Sequence, residues 1–304
     1  MENVGESRKK KVLILGATGM LGSAVYGVLK DKYSLVLAVR DRSKIELLEK
    51  AYGGTDKHKI AEFDAGKIYE DFVAKKGYPG EYLQSFLASV GDVDYVINAV
   101  GLVIAPTSDN PVMAFFINGA LPHILANAFG DKLIHITTDC AFNGKQGFPY
   151  DEDSPKTPVD LYGLTKSLGE PENCLTIRTS IIGRELEGFT GLLEWFLHQP
   201  NREVNGFTGH YWNVITTKQF GKICDQIMSD REAYPKAGIY HIFSTTVSKY
   251  DMLQKFKEKY KLDVKINENR ENKLNRTLST VKELNSLLKV PSFGEMVNDL
   301  YQRT

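Results

Sequence analysis

The chain has 304 residues with 38 Lys+Arg against 38 Asp+Glu, so its formal net charge is +0 and no broad basic field exists to attract nucleic acid. Hydrophobic residues make up 42% and charged residues 25%, a balance that excludes the disordered class and supplies a sizeable core. The long apolar runs are of strand length, so no membrane span is expected.

Residues 1–10 read as a polar tail leading into Arg8-Lys9-Lys10-Lys11, and the apolar Val12 to Leu15 behind it is too short for a secretory leader. Cys140, Cys174 and Cys224 are odd in number and scattered, with no CxxC pair or neighbouring His. That pattern points to reduced thiols, no metal site and a cytoplasmic protein. Lys11-Val-Leu-Ile-Leu15 is a compact apolar run that stops at Gly16, and Met20 to Lys30 has helical spacing at Leu21, Val25, Val28 and Leu29. This is strand, glycine turn, helix. Further strands are read at Ser34 to Val39, Ile60 to Phe63, Asp94 to Asn98, Leu133 to Thr137 and Cys174 to Arg178, with helical stretches between. Short apolar strands alternating with helices imply a parallel sheet covered on both faces, with ligands at the carboxyl ends of its strands.

Beyond Gly183 the pattern changes. Leu192 to Leu197, Thr217 to Met228 and Met252 to Tyr260 look helical, and Tyr240 to Phe243 looks like one more strand. The expected fold class is therefore α/β: a Rossmann-type doubly wound parallel sheet with a smaller C-terminal substrate-binding lobe. The dinucleotide-binding domain is expected over 11–183 with return segments near 213–243, and the lobe over 184–212 and 244–304.

Gly16-Ala-Thr18-Gly19-Met20-Leu21-Gly22 is G-x-x-G-x-x-G between a strand and a helix, where small residues let the backbone approach a pyrophosphate and the helix N-terminus supplies N–H donors. The second strand ends in Val39-Arg40-Asp41-Arg42-Ser43. A guanidinium suits a ribose 2′-phosphate and a carboxylate repels one, so Arg40, helped by Arg42 and Ser43, points to NADPH (NADP+) as cofactor. Asp41 is the counter-argument, and solvated turn charges are the plain alternative. Asp64 reads as an acceptor for the adenine amino group or as a helix N-cap. Asn98-Ala99-Val-Gly101 ends the fourth strand with small residues that let the chain pass under the cofactor.

Tyr162-Gly-Leu-Thr-Lys166 puts a phenol and an ammonium four apart, one above the other on a helix. Tyr26 and Lys30 share the spacing but lie in the helix after the glycine turn, away from a bound nicotinamide, so position decides for Tyr162. Carbonyl reduction wants this pair: a hydride arrives and the incipient alkoxide needs a proton. The ammonium and ribose hydroxyls are expected to pull the phenol pKa down towards the working range. Thr138, with Thr137 as competitor, is the hydroxyl that polarises the carbonyl.

The glycine turn, Asn98 to Gly101, the Thr138/Tyr162/Lys166 set and the length resemble the extended short-chain dehydrogenase/reductases over essentially the whole chain. Thr137-Thr-Asp-Cys-Ala-Phe-Asn-Gly144, Pro149-Tyr-Asp-Glu152 and Leu161-Tyr-Gly-Leu-Thr-Lys-Ser-Leu-Gly-Glu170 are similar to the dTDP-4-dehydrorhamnose reductase-like (RmlD-like) branch, with Thr165 in place of the usual Ser. The resemblance implies NADPH-dependent reduction of the 4-keto group of a UDP-, dTDP- or GDP-linked 4-keto-6-deoxyhexose in deoxysugar and polysaccharide biosynthesis, and it allows a homodimer. It also implies that Thr179, after Arg178, passes the nicotinamide amide.

Asp139, Cys140, Trp212 and Arg276 are the substrate-side candidates that go with it, Arg276 for the nucleotide diphosphate with Lys249 behind it. Trp195 and Tyr211 are further walls of the pocket or mere packing. The 4,6-dehydratases of the wider family carry an acid after Thr-Asp, where this chain has Cys140, so dehydration is not expected. The branch that epimerises at C3 and C5 before reducing has a cysteine at that position, which keeps a bifunctional epimerase/reductase using Cys140 as an alternative. A non-catalytic NADP-binding regulatory subunit is the alternative of another class. His135, in mid-strand, reads as a satisfied core residue.

Overall fold

The computed structural model describes residues 8–75, 80–199 and 203–300. Of the expected polar tail, residues 1–7 lie outside the described residues. The first half of the chain runs β1 (Lys11–Leu15), α1 (Met20–Leu29), β2 (Ser34–Val39), α2 (Ile45–Tyr52), β3 (Lys59–Glu62), α3 (Ala65–Lys75), α4 (Glu81–Val90) and β4 (Tyr95–Asn98). Helices α5 (Ile104–Asp109) and α6 (Pro111–Ala114) lead through a π-helical turn, Phe115–Ala120, into α7 (Leu121–Phe129), β5 (Leu133–Thr138), α8 (Leu161–Leu168) and β6 (Leu175–Thr179).

The second half holds β7 (Ile181–Ile182), α9 (Leu192–Leu197), β8 (Glu203–Phe207), β9 (His210–Trp212), β10 (Ile215–Thr216), α10 (Thr217–Ser229), β11 (Gly238–His241) and β12 (Val247–Ser248). It ends in α11 (Lys249–Tyr260), β13 (Lys265–Asn269), β14 (Leu274–Asn275), α12 (Leu284–Leu288) and α13 (Phe293–Asn298).

Seven strands form one parallel sheet in the order β11-β6-β5-β4-β1-β2-β3. The order reverses at β1, which is where a doubly wound sheet opens a crevice for ligands. Val12, Leu13, Ile14 and Leu15 are all fully buried, which is why β1 reads as an unbroken apolar run rather than an alternating one. Odd positions of the run join the core shared with α3, α4 and α7, and even positions join the core shared with α1, α2 and α10. Helices α1 and α10 pack closely because Gly221 carries no side chain: a Cβ there would lie 3.0 Å from Val28.

A third core, built around Phe196, Met252, Leu253, Phe256 and Phe293, belongs to the lobe. Its strands are short and polar, as in Glu-Val-Asn-Gly-Phe of β8 paired with Lys-Ile-Asn-Glu-Asn of β13, and periodicity in the sequence does not reveal them. The chain also returns from the lobe to the main sheet, where β11 pairs with β6 as the outermost strand.

Two expectations are corrected. Thr138 is the last residue of β5 rather than a residue after it, because its backbone still pairs with Thr179 of β6. The longest apolar stretch is not a strand: Pro111–Lys132 is helical over most of its length and, with a mean hydropathy of 1.4, apolar and long enough to cross a membrane by composition. Half of it is buried within the protein, with Leu121, Leu125 and Ala126 in the core beneath the sheet. Its apolar character is that of a core helix.

Candidate active site

The site grows from the carboxyl ends of β1, β2, β4, β5 and β6. At β1, Gly16 adopts φ +77° and opens the turn into α1, a conformation that L side chains rarely take. A Cβ at Gly22 would lie 2.1 Å from the Gly16 carbonyl oxygen and 2.9 Å from Ala17 Cα, so the first turn of α1 presses directly on the loop. The adjoining face of Gly16 meets the backbone of Ala99, so the turn Asn98 to Gly101 and the glycine turn line one crevice. Thr18, Gly19, Met20 and Leu21 complete this cradle, which fits a pyrophosphate approaching the N-terminus of α1.

At the end of β2, Asp41 is occupied by its own turn: its carboxylate accepts from the Ser43 N–H at 2.9 Å and from the Ser43 hydroxyl at 2.7 Å. Those bonds hold its pKa below the usual carboxylate range. Asp41 is thus a turn residue, and the Ser43 hydroxyl expected to help a phosphate already serves it. Arg42 reaches the Ile60 carbonyl at 3.4 Å, while Arg40 is exposed. Asp64 behaves as a cap for α3, accepting from the Gly66 N–H at 2.8 Å, which is the plainer of its two expected roles.

The reactive end is assembled by α8. Asp160 caps it, taking the Gly163 N–H at 2.7 Å, and Gly163 lets the helix lie on the Cys140 carbonyl, 2.2 Å from where a Cβ would be. Lys166 is buried and donates to the Ile136 carbonyl of β5 at 3.0 Å. Burial pushes its ammonium down to about 8, and the charge of Glu170 one turn further on opposes the shift. Thr137 points into the structure and donates to the Lys166 carbonyl at 3.3 Å, so Thr138 alone of the two faces the phenol.

The Tyr162 pKa is raised rather than lowered. Burial and the neighbouring Cys140 push it up, the Thr138 hydrogen bond works the other way, and the Lys166 ammonium faces the Ile136 carbonyl. Of the two groups expected to lower it together, the ammonium and the ribose hydroxyls, the ammonium does not do so by itself.

Arg276 is brought to another of the substrate-side candidates, Cys140. It follows β14, which is tied to the catalytic loop by the Asn275 N–H on the Gly144 carbonyl at 2.8 Å, and its guanidinium donates to Cys140 Sγ at 3.0 Å. It stands beside Asp139. Burial pushes Asp139 up to about 6 against the pull of Arg276, and burial with Asp139 pushes the Cys140 thiol up to about 12. Asp139 Oδ2 and Arg276 Nε are both buried with no hydrogen-bond partner among the described residues. These two atoms, next to Cys140, leave an acceptor and a donor unspent behind the catalytic loop.

Trp212 packs into the lobe core with its edge towards His210, whereas Trp195 and Tyr211 remain partly exposed and Lys249 lies over the Trp195 and Phe207 rings. Thr179 lies buried at the end of β6, level with Thr138.

Sequence reasoning missed three supports. Asn118, in the π-helical turn, accepts the Leu102 N–H at 2.8 Å and donates to the Leu102 carbonyl at 3.0 Å and to the Thr165 hydroxyl at 3.2 Å. Nothing in the sequence marks it except the interruption of helical spacing after Phe115. Arg178 is an interior residue: it bridges Glu170 with two bonds of 3.0 and 2.7 Å and donates to His241 at 2.6 Å. Glu185 accepts the Thr190 and Gly191 N–H groups and shapes the loop that comes within reach of Met20.

The fold and site define a Rossmann-type α/β protein of the dehydrogenase and epimerase class, and residues 12–175 match the NAD dependent epimerase/dehydratase family. Residues 106–288 match the RmlD substrate binding domain, and the chain belongs to that family.

It is 28% identical over 164 residues to the spore coat polysaccharide biosynthesis protein SpsK of Bacillus subtilis, a match covering 51% of this chain and 56% of that protein. It is 26% identical over 260 residues to methionine adenosyltransferase 2 subunit beta of Xenopus tropicalis, covering 80% of this chain and 70% of that one. The chain thus spans little more than half the length of the first of these relatives. Among solved structures, dTDP-4-dehydrorhamnose reductase from Bacillus anthracis in complex with NADP superposes with a TM-score of 0.68 at 17% identity, over 96% of this chain and 98% of that one.

Proposed function

We propose that the protein is an NADPH-dependent reductase of the 4-keto group of a nucleotide-linked 4-keto-6-deoxyhexose, a dTDP-4-dehydrorhamnose reductase-like enzyme. The observation that carries this reading is the convergence of Thr138, Tyr162 and Lys166 at the carboxyl end of β5, facing the crevice that the glycine turn opens. When bound, a reduced nicotinamide dinucleotide supplies the hydride. Gly16 to Gly22 would hold its pyrophosphate, Arg40 and Arg42 its 2′-phosphate, Asn98 to Gly101 and Thr179 the path towards the nicotinamide, and Lys166 its ribose.

The Thr138 hydroxyl polarises the substrate carbonyl, and the Tyr162 phenol gives its proton to the oxygen as the C=O bond becomes C–O. A raised phenol pKa suits this direction, because the group stays protonated at neutral pH and an alkoxide is a stronger base than a phenolate. Lys166, still cationic at neutral pH, would hold the cofactor ribose, through whose hydroxyls it would stabilise the phenolate left behind. Asp139 and Arg276 would take the sugar hydroxyls with their unpartnered atoms. Burial and the Asp139 charge keep Cys140 a thiol against the opposing pull of Arg276 on its sulfur, which favours reduction alone over the bifunctional epimerase/reductase, since removal of a C3 or C5 proton needs a thiolate.

The resemblance to dTDP-4-dehydrorhamnose reductase, whose solved structure is in complex with NADP, supports both the substrate class and the cofactor. The test is consumption of NADPH, read as loss of the reduced-nicotinamide absorbance, with a set of UDP-, dTDP- and GDP-linked 4-keto-6-deoxy sugars. Turnover of one of them, with no ring deuterium taken up in deuterated water, is the expected result.

A second reading, a subunit that binds NADP without turnover, is favoured by one observation: the match to methionine adenosyltransferase 2 subunit beta covers 80% of this chain. Cofactor binding with no absorbance loss for any substrate is its signature.

A further inference from the structure

His135 lies in the middle of β5, fully buried, directly across from Asn98 of β4. Its two ring nitrogens are both used: Nδ1 meets Asn98 Nδ2 at 3.0 Å, and Nε2 meets the Gly169 carbonyl oxygen at 2.9 Å. The direction of each bond follows from its neighbours. Asn98 Oδ1 accepts the Val100 N–H at 3.1 Å, so the Asn98 amide presents its NH2 to the histidine and Nδ1 must accept. A carbonyl oxygen can only accept, so Nε2 carries the proton.

The neutral Nε2–H form alone closes this chain of bonds, and burial together with the Lys166 charge holds the ring well below the usual histidine range. The two ends of the chain are the two halves of the site. Asn98 opens the turn that passes beside the glycine cradle, and Gly169 ends the helix that carries Tyr162 and Lys166.

We infer that His135, with Asn118 as the second point of attachment, clamps the turn Asn98 to Gly101 against helix α8 and so sets the spacing between the cofactor path and the catalytic pair. His135 is in this sense a positioning residue. Asn118 ties Leu102 and Thr165 from the far side, and its own carbonyl would lie 1.8 Å from a Cβ at Gly169, so the end of α8 is pinned at close range. Between the two attachments, Lys166 Nζ is 3.7 Å from the place a Gly101 Cβ would occupy. Loss of either attachment frees the turn to move by the few tenths of an ångström that separate a productive approach from an unproductive one. This inference rests on the proposed reductase reading for its effect on turnover, but its effect on dinucleotide affinity stands without it.

The experiment compares the wild type with His135→Leu, which removes both bonds, His135→Asn, which keeps an acceptor near Nδ1, and His135→Gln, which keeps a donor near Nε2. NADPH affinity is read by nicotinamide fluorescence and steady-state rates are taken at saturating NADPH, all below each variant's Tm. Ile134→Ala, a core truncation on the same strand, serves as the control for lost stability. H135L is expected to bind NADPH about tenfold more weakly and to lose kcat by about 10- to 100-fold with substrate KM within about twofold, while H135N and H135Q fall between it and the wild type. I134A is expected to lose Tm but keep kcat.

If H135L does not fold, H135N and H135Q carry the comparison with I134A. Affinity and kcat equal to wild type in the His135 variants, or an equal fall in I134A at matched Tm, overturn the clamp. A wild type that binds NADPH but reduces no sugar overturns the reductase reading instead, and the affinities alone then decide the clamp.

Discussion

The two ends of the crevice are built on opposite principles. At the glycine end function rests on missing atoms: Gly22 has no room for a Cβ, and the backbone itself is the binding surface. At the reactive end function rests on polar groups held out of water. Lys166, Asp139 and Cys140 all depart from their ordinary pKa through burial first and neighbours second. The glycine end should therefore be broken by adding volume, and the reactive end by adding or removing charge.

The largest effect is expected where volume is added. Gly22→Val sets a branched side chain against the Gly16 carbonyl and should abolish NADPH binding in a fluorescence titration, with a cost of about 1–3 kcal/mol in stability. At the reactive end, Lys166→Met should cost at least about two orders of magnitude in kcat, yet raise Tm at pH 7 by about 2–4 °C in a thermal melt.

The sign follows from linkage. The folded pKa near 8 lies below the ordinary 10.5, so the unfolded chain binds more protons between these values. Stability therefore rises with pH across that window, and the buried charge costs its full amount below it. The same value predicts that wild-type kcat/KM falls as pH rises through about 8, and that Lys166→Arg moves this limb upward.

A smaller effect tests the mouth of the glycine end. Arg40→Asp should narrow the NADPH over NADH preference in kcat/KM by about tenfold, whereas Asp41→Asn should leave it nearly unchanged because Asp41 is bonded to Ser43. The smallest effect is Cys140→Ser: with a neutral thiol that abstracts no proton, kcat should stay within about threefold and no ring deuterium should appear in either protein.

The same contrast explains what the sequence made legible. A backbone cradle advertises itself through glycine spacing, and the strands on either side of it are continuous apolar runs, so β1 and β2 are read to the residue. The Tyr162–Lys166 pair is legible because a helix repeats every fourth residue. The directions in which side chains are spent are not. That Asp41, Ser43 and Asp64 also close their own turns cannot be seen from the residue types. That Arg276 meets Cys140 is invisible until β14 is seen to lie on the catalytic loop. Asn118 and Arg178 act through partners dozens of residues away in the chain, and the lobe strands β8 and β13 are too polar to stand out from loops.

The most direct measurement of the central claim is a single-turnover experiment with Tyr162→Phe, NADPH and the sugar nucleotide that the wild type reduces. The phenol is held as the proton donor, so NADPH should bind as in the wild type while the rate of nicotinamide oxidation drops by about two to four orders of magnitude. Oxidation at the parental rate would contradict the account.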